Sequence, residues 1–200
     1  MSVPGDPVHE AATAALTGHL IVIPTDTVYG VGTRPDERAA TARLFRAKDR
    51  PRDLVLPVLC PGVETTRELA GFDERANRLA EAFWPGPLTI VLPRSDRSRD
   101  WDLGADEETI GLRVPRHRLA LAVLVLTGPL AVTSANRSGE PTPQACDGVR
   151  EVFRDDVEIY ICDDRPSAGL SSTVVDLAHG KPRVLRAGAL SPEAVLEAAG

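Results

Sequence analysis

Short apolar runs alternate with helix-like patterns along the chain. Apolar residues at helical spacing predict a first helix over Val8–Leu16 that stops at Gly18, and the run Leu20–Ile23 predicts the strand after it. The further predicted strands are Leu54–Leu59, Leu88–Leu92, Thr109–Val114, Leu130–Thr133, Val157–Ile161, Ser172–Leu177 and Arg183–Leu185. The further predicted helices are Asp36–Ala47 with Asp36 as N-cap, Glu74–Trp84, His117–Leu126, one that begins near Pro143, and one opened by Ser191 and Pro192.

Strands that alternate with helices in this way predict an α/β (α+β) fold, with a sheet flanked by helices. Two long connections containing proline or glycine, Arg94–Glu108 and Asp163–Ser171, interrupt a strict βαβ repeat and favour a mixed sheet. We expect the first of them to be a solvated excursion. A chain of 200 residues with 42% hydrophobic content can bury one sizeable core, so we expect one domain over residues 1–200.

Polar groups gather where the predicted strands end. In the stretch IVIPTDTVYGVG, a buried strand ends in hydroxyls, a carboxylate and two glycines, Gly30 and Gly32. Ligands of open α/β sheets sit beyond strand ends, so this stretch predicts a pocket wall, where glycine lets the backbone approach a ligand. Similar polar clusters occur at Lys48–Arg50, Thr109–Arg113, Thr133–Asn136, Ser171–Thr173 and Arg186.

These clusters supply cations and compact hydrogen-bond donors, which suit a phosphorylated ligand such as a nucleotide. Taken singly, Lys48 and Arg50 could be surface residues at a helix end, and Ser134 and Asn136 could be turn formers before a glycine. Arg113 is the exception because it interrupts an apolar strand, where a charge requires a polar cleft or a partner. Only convergence of these residues in one cavity would favour a binding site.

Composition and missing motifs exclude several other classes. A formal charge of −6 disfavours a protein that coats nucleic acid. The cysteines Cys60, Cys146 and Cys162 have no C-x-x-C spacing and predict reduced, buried thiols. The four histidines lack metal-ligand spacing, and no phosphate loop, dinucleotide fingerprint or nucleophile elbow is present. Without an apolar span or a signal-peptide pattern, we expect a cytoplasmic protein with no membrane contact.

Seven motifs then resemble a known family in order, across nearly the whole chain. They are PTDTVYGVG, AKDRP with its K-x-R triplet, WPGPLTIVL, TIGLRVP, TSANRSGEPTP, STVVDL and RVLRAG. The chain resembles the YrdC family of L-threonylcarbamoyladenylate synthases, in the single-domain bacterial form. This resemblance implies a twisted mixed sheet with a concave ligand-binding face, shared with a riboflavin-pathway synthase (YrdC/RibB-like). It also implies the conversion of L-threonine, bicarbonate and ATP to threonylcarbamoyl-AMP and pyrophosphate, with Mg²⁺.

The resemblance further implies roles for particular residues and partners. Thr27, Arg113 and Ser172 match positions that hold threonine. Positions around ATP are matched by Arg50, Thr109, Ser134, Thr142 and Arg186. Lys48 and Asn136 complete the K-x-R and S-x-N pairs, so the catalytic set is Lys48, Arg50, Ser134 and Asn136, with no protein ligand to a metal. The product would pass to the tRNA threonylcarbamoyl transferase complex, and weak binding of tRNA is a further expectation.

Four positions depart from the family pattern. Leu54 replaces an asparagine near ATP in many members, Leu59 replaces a histidine of archaeal members, and Asp164 and Arg165 replace two glycines. Two alternatives therefore stay open. The chain could be a YrdC-like protein that binds double-stranded RNA or tRNA, which the acidic net charge disfavours. It could also be a paralogous enzyme that forms a carbamoyl-adenylate from another substrate.

Overall fold

The computed structural model describes residues 5–163 and 169–200. These residues form a nine-stranded sheet flanked by helices. The strands are β1 Ile21–Ile23, β2 Gly30–Thr33, β3 Val58–Leu59, β4 Leu88–Pro93, β5 Thr109–Arg113, β6 Leu130–Ser134, β7 Ile159–Tyr160, β8 Thr173–Asp176 and β9 Arg183–Arg186. The helices are α1 Pro7–Leu16, α2 Arg38–Ala47, α3 Val63–Leu69, α4 Glu74–Phe83, α5 Arg118–Thr127, α6 Cys146–Phe153 and α7 Pro192–Ala199. None of the helices in these ranges is long and apolar enough to cross a bilayer.

The sheet is mixed, as the sequence predicted. Its order is β7-β1-β2-β6-β3-β5-β4-β8-β9. The pairs β1 with β7, β3 with β5, and β4 with β8 are parallel, and the other five pairs are antiparallel. The predicted departures Asp164 and Arg165 lie outside the described residues.

Alternation along the strands divides the core between the two faces of the sheet. Ile21 and Ile23 of β1 pack with α1 and α5 on one face, whereas Val22 packs in the larger cluster on the other. In β5, Ile110 and Leu112 also enter the larger cluster. Thr109, Gly111 and Arg113, which alternate with them, therefore point to the opposite face, the one that α1 and α5 cover at the other end of the sheet.

The sequence missed two elements and overextended one. β2 contains two glycines, which strands disfavour, and α3 is short and carries two threonines. The predicted strand Leu54–Leu59 shrinks to β3 because Pro57 lacks an N–H for the ladder and Leu54 is exposed.

Side-chain caps confirm one predicted helix start and correct another. Ser191 caps α7 by accepting a hydrogen bond from the N–H of Ala194, as predicted. Asp36 is not the N-cap of α2, because both of its carboxylate oxygens accept from Arg34, at 2.8 and 2.9 Å. The arginine two residues away competes successfully for the carboxylate.

The glycines of β2 allow close packing against the neighbouring strand. A Cβ atom added at Gly32 would lie 2.6 Å from the carbonyl oxygen of Ala131, and one at Gly30 would lie 2.5 Å from Val132. Both neighbours belong to β6, the partner strand. The prediction for Gly32 is therefore wrong, although Gly30 also lines the cavity described below.

The connection Arg94–Glu108 is packed, which corrects the expectation of a solvated excursion. The Arg94 guanidinium donates to the carbonyls of Thr109, Trp101 and Asp106 at 2.7 to 2.8 Å. Leu103 is fully buried in the main core. Sequence alone missed this because one half-buried arginine satisfies carbonyls at several distant points of the loop.

The cysteines correct another expectation. Cys146 and Cys162 form a disulfide between the start of α6 and the residues after β7, with Cα atoms 5.5 Å apart. Only Cys60 is a free, buried thiol among the described cysteines. The two partners are 16 residues apart, and the fold, not a local motif, brings them together.

We predict that Leu103→Ala destabilises the protein by about 2 to 5 kcal/mol, because the loop buries this side chain in the core. The matched control is Leu126→Ala on α5, where the side chain is 43% exposed and the expected change is within about 0.5 kcal/mol. Urea unfolding of the two variants measures the difference. Equal stabilities would contradict the packed loop.

Candidate active site

A cavity of about 320 Å³ opens over the part of the sheet that α1 and α5 leave uncovered. Seven of the ten site residues predicted from the sequence line it. These are Thr27, Arg50, Thr109, Arg113, Ser134, Ser172 and Arg186. The other three, Lys48, Asn136 and Thr142, are not among the lining residues. Residues up to 159 positions apart in the chain thus meet in one hollow, as the nucleotide-site hypothesis required.

The floor of the cavity follows from strand alternation. Thr109, Gly111 and Arg113 of β5 face the cavity, while the residues between them face the core. Thr89 and Val91 of the neighbouring strand β4 face the same way. One face of this part of the sheet therefore lines the cavity, and Thr89, Thr109 and Arg113 supply polar groups on it.

Arg113 is buried and held on three sides. Its Nη2 donates to Oδ1 of Asp26 at 2.7 Å, its Nη1 to the Thr27 hydroxyl at 2.9 Å, and its Nε to the carbonyl of Gly86 at 3.0 Å. Burial lowers the pKa of Arg113, and Asp26 opposes that shift. The sequence required a polar cleft or a partner for this charge, and the structure provides both.

Arg50 and Arg186 place two more guanidinium groups on the cavity. Arg186 donates to the carbonyl oxygen of Ser172 at 2.9 Å, and Arg50 to the carbonyls of Leu54 and Val55. Burial and then the nearby charge of Arg186 lower the pKa of Arg50. Neither arginine has a carboxylate partner among the described residues, so the cavity carries positive charge in an otherwise acidic chain.

Asp106 is the carboxylate that lines the cavity, and its oxygens are occupied. It accepts from the Thr109 hydroxyl and from the N–H groups of Glu108 and Thr109 at 2.9 and 3.0 Å. These hydrogen bonds lower the pKa of Asp106 against the opposing effect of burial. The Thr109 hydroxyl therefore donates its only proton to Asp106 and cannot donate to a ligand.

Lys48, Asn136 and Thr142 build the loop that carries Ser134. The Lys48 ammonium donates to the carbonyls of Ser134 and Asn136. The Asn136 amide donates to the carbonyls of Arg137 and Glu140, and its oxygen accepts from the Thr142 hydroxyl at 3.0 Å. All three side chains hold this loop in place behind the cavity wall.

With the geometry in hand, the chain can be compared with known proteins. The family model Sua5_yciO_yrdC, described as "Telomere recombination", matches residues 13–188. The chain belongs to the Sua5/YciO/YrdC family. Its relatives include a Mycobacterium leprae protein, 43% identical over 193 residues that cover 95% of this chain and 87% of that protein. A Pyrococcus abyssi relative is 39% identical over 89% of this chain and 53% of that protein. Both are named for threonylcarbamoyl-AMP synthase activity.

Solved structures of the Sua5/YciO/YrdC family match the fold closely. Pyrococcus abyssi Sua5 complexed with L-threonine has a TM-score of 0.87 and 36% identity, over 96% of this chain and 56% of that chain. Escherichia coli YciO has a TM-score of 0.84 and 26% identity, over 92% of this chain and 90% of that chain. The YrdC-like architecture that the motifs implied is therefore confirmed.

The sequence missed two carboxylates that organise the site. Asp26 pairs with Arg113 and also accepts from the N–H of Arg116 at 2.9 Å. Asp106 fixes Thr109 from the loop that was expected to be solvated. Asp26 belongs to the first motif, and a carboxylate at a strand end indicates a cationic partner. Nothing near it in the sequence indicated that this partner is Arg113.

We predict a pH-dependent stability that depends on Lys48. Burial, followed by the nearby charge of Arg50, lowers its pKa from 10.5 to about 7. Between these values the unfolded chain binds more protons than the folded protein, so the contribution of Lys48 to stability increases with pH. The slope is at most about 1.4 kcal/mol per pH unit, and the cost of burying the charge is fully present below the lower value.

The measurement is urea unfolding of the wild type and of Lys48→Met from about pH 6 to about pH 9. As pH increases, the free energy of unfolding of the wild type should increase relative to that of Lys48→Met. Lys181→Met, which alters the only other lysine, is the exposed control and should show a constant difference. A constant difference for Lys48→Met as well would contradict the prediction.

Proposed function

We propose that this protein is a threonylcarbamoyl-AMP synthase that uses L-threonine, bicarbonate and ATP. The observation that carries the proposal is the convergence of seven predicted site residues, three of them arginines, on one cavity. Relatives that are 32 to 43% identical are named for the same activity, and Pyrococcus abyssi Sua5 binds L-threonine.

The proposed reaction forms two bonds in sequence. The amino group of threonine and bicarbonate give a carbamate and water. A carbamate oxygen then attacks the α-phosphorus of ATP in line, and the bond to pyrophosphate breaks. Such a transfer requires positioning and charge neutralisation more than a strong protein base. The cavity supplies fixed cations and hydroxyl groups, which match this requirement.

Each end of the cavity suits one substrate. At one end Arg113 has two N–H groups without an acceptor among the described residues, which suit the carboxylate of threonine next to Thr27. Elsewhere in the cavity, Arg50 and Arg186 have no carboxylate partners in those ranges and suit phosphate oxygens, and Ser134 lines the same cavity. The Ser172 hydroxyl, which the resemblance assigns to threonine, accepts a hydrogen bond from Arg186 at 3.1 Å.

The roles of Lys48 and Asn136 are proposed to be indirect. Lys48 donates to two backbone carbonyls, and a neutral amine retains two N–H groups, so both of its protonation states can hold them. We therefore assign Lys48, Asn136 and Thr142 to positioning the Ser134 loop. The Thr109 hydroxyl donates its proton to Asp106, so its oxygen would contact ATP only as a hydrogen-bond acceptor.

Magnesium is proposed to enter with ATP. Mg²⁺ is commonly bound through substrate phosphates, water and only one or two carboxylates. The described residues contain no group of three or more potential metal ligands, and the oxygens of Asp106 are already hydrogen-bonded. These residues fit a metal carried by the triphosphate better than a resident metal ion.

Three further parts of the proposal rest on the resemblance. The adenylate would be passed to the transferase complex that modifies tRNA. Weak contact with tRNA and a cytoplasmic location would be consistent with that role. An RNA-binding protein without enzymatic activity is the competing reading, and it predicts no consumption of ATP.

We predict that Arg186→Gln lowers kcat/KM for ATP by about 10- to 100-fold, because a fixed cation at the phosphates is removed. Arg183→Gln on the same strand is the matched control, since Arg183 is exposed and does not line the cavity. Pyrophosphate release with threonine and bicarbonate provides the measurement. Equal losses in both variants would contradict the assignment of Arg186.

A substrate panel tests the amino acid end of the cavity. We predict that kcat/KM decreases in the order threonine, serine, valine, because a buried hydrogen-bonding group left without its partner costs more than a missing methyl group. The readout is again pyrophosphate release, with carbamoyl phosphate as an additional candidate. Preference for carbamoyl phosphate would instead favour the paralogous enzyme.

A further inference from the structure

The hydroxyl of Thr25 has its entire hydrogen-bonding capacity in use. Its oxygen lies 2.6 Å from the carbonyl oxygen of Val28, which can only accept, so the Thr25 proton points there. The same oxygen accepts from the backbone N–H of Thr27 at 3.2 Å. Because a hydroxyl has one proton, the 3.0 Å contact between the two hydroxyls runs from Thr27 to Thr25.

This direction leaves Thr27 as an acceptor towards the cavity. Its proton is used on Thr25, and one lone pair of its oxygen accepts from Arg113 at 2.9 Å. One lone pair remains, and Thr27 lines the cavity while being only 1% exposed. A ligand group that meets this oxygen must therefore bring an N–H or O–H.

Arg113 presents the opposite polarity beside it. The guanidinium has five N–H groups and cannot accept, and three of them donate to Asp26, Thr27 and Gly86. The other two have no acceptor within residues 5–163 and 169–200. Donors on Arg113 next to an acceptor on Thr27 are complementary to a carboxylate with a neighbouring N–H or O–H.

We propose that Thr25 is a positioning residue that fixes the direction of the Thr27 hydroxyl, so that Thr27 accepts a hydrogen bond from the amino acid substrate and cannot donate one. The identity of that amino acid rests on the proposed function. On threonine, the donor is the side-chain hydroxyl or the amino group. Thr25 itself is saturated and makes no bond to the substrate.

The decisive variant is Thr25→Val, which keeps the side-chain shape and removes the hydroxyl. The Thr27 proton is then free to turn into the cavity, and the acceptor is no longer fixed. We expect KM for threonine to rise about tenfold, with kcat and KM for ATP within about twofold of wild type. Thr25→Ser retains the hydroxyl and should restore the wild-type KM.

Thr33→Val is the matched control for a buried threonine. Thr33 is fully buried on β2, and its hydroxyl has no partner among the described residues. Its replacement should leave all three kinetic constants near wild type. An unchanged KM for threonine in Thr25→Val, or an equal loss in Thr25→Ser, would overturn the proposal. If Thr25→Val does not fold, Thr25→Ala is measured in the same way.

O-Methyl-L-threonine, which keeps the side-chain oxygen but lacks its proton, identifies the donor. If the substrate hydroxyl donates, the wild type discriminates against this analogue, and Thr25→Val narrows the difference because Thr27 can now donate to the ether. If the amino group donates, Thr25→Val weakens both ligands in the same proportion. Stronger discrimination in Thr25→Val than in the wild type would contradict the proposal.

Direct binding separates this inference from the proposed function. Titration calorimetry of threonine, without ATP, measures binding of the amino acid separately from the chemical step. A wild type that binds threonine but releases no pyrophosphate would refute the synthase activity, and a tenfold weaker affinity in Thr25→Val would still support the role of Thr25. Equal affinities in the presence of normal pyrophosphate release would refute only the role of Thr25.

Discussion

The buried charge of Arg113 is the constraint on which the proposed threonine-binding part of the cavity depends. A buried guanidinium is costly unless its N–H groups are satisfied. Asp26, Thr27 and Gly86 provide that compensation from two separate connections. Removing one partner would leave a buried charge short of contacts, so the residues around Arg113 form one interdependent unit. The unused N–H groups are oriented by the same contacts that make the charge tolerable.

The other end of the cavity uses charge differently. Burial, and then the nearby charge of Arg186, lower the pKa of Arg50, and backbone carbonyls rather than carboxylates hold both side chains. Carbonyls orient a guanidinium without neutralising it. A triphosphate would supply the missing negative charge and relieve the repulsion. The acidic balance of the whole chain does not oppose this, because the local field in a cleft is set by the charges that line it.

Local patterns predicted the parts of this structure that depend on neighbouring residues. Strand periodicity found β5 and the anomalous position of Arg113, and cap chemistry found Ser191. One failure was local, because Arg34 competes for the carboxylate of Asp36, but the corrections that matter most for packing involve contacts between distant segments. The disulfide of Cys146, the burial of Leu103 and the packing of Gly32 against β6 depend on tertiary structure that no window of the sequence contains.

The same distinction applies to the site residues. Tertiary structure shows which of them line the cavity and which hold other residues in position. Motif order predicted a set of site residues, but only the geometry shows that Lys48 faces backbone carbonyls and that Thr109 gives its proton to Asp106. The sequence gives no sign of a role for Thr25, because saturation of its hydroxyl becomes visible only when Val28 and Thr27 are placed around it. The direction of a hydrogen bond thus follows from the folded structure and cannot be read from a motif. It decides which chemical groups the cavity can accept.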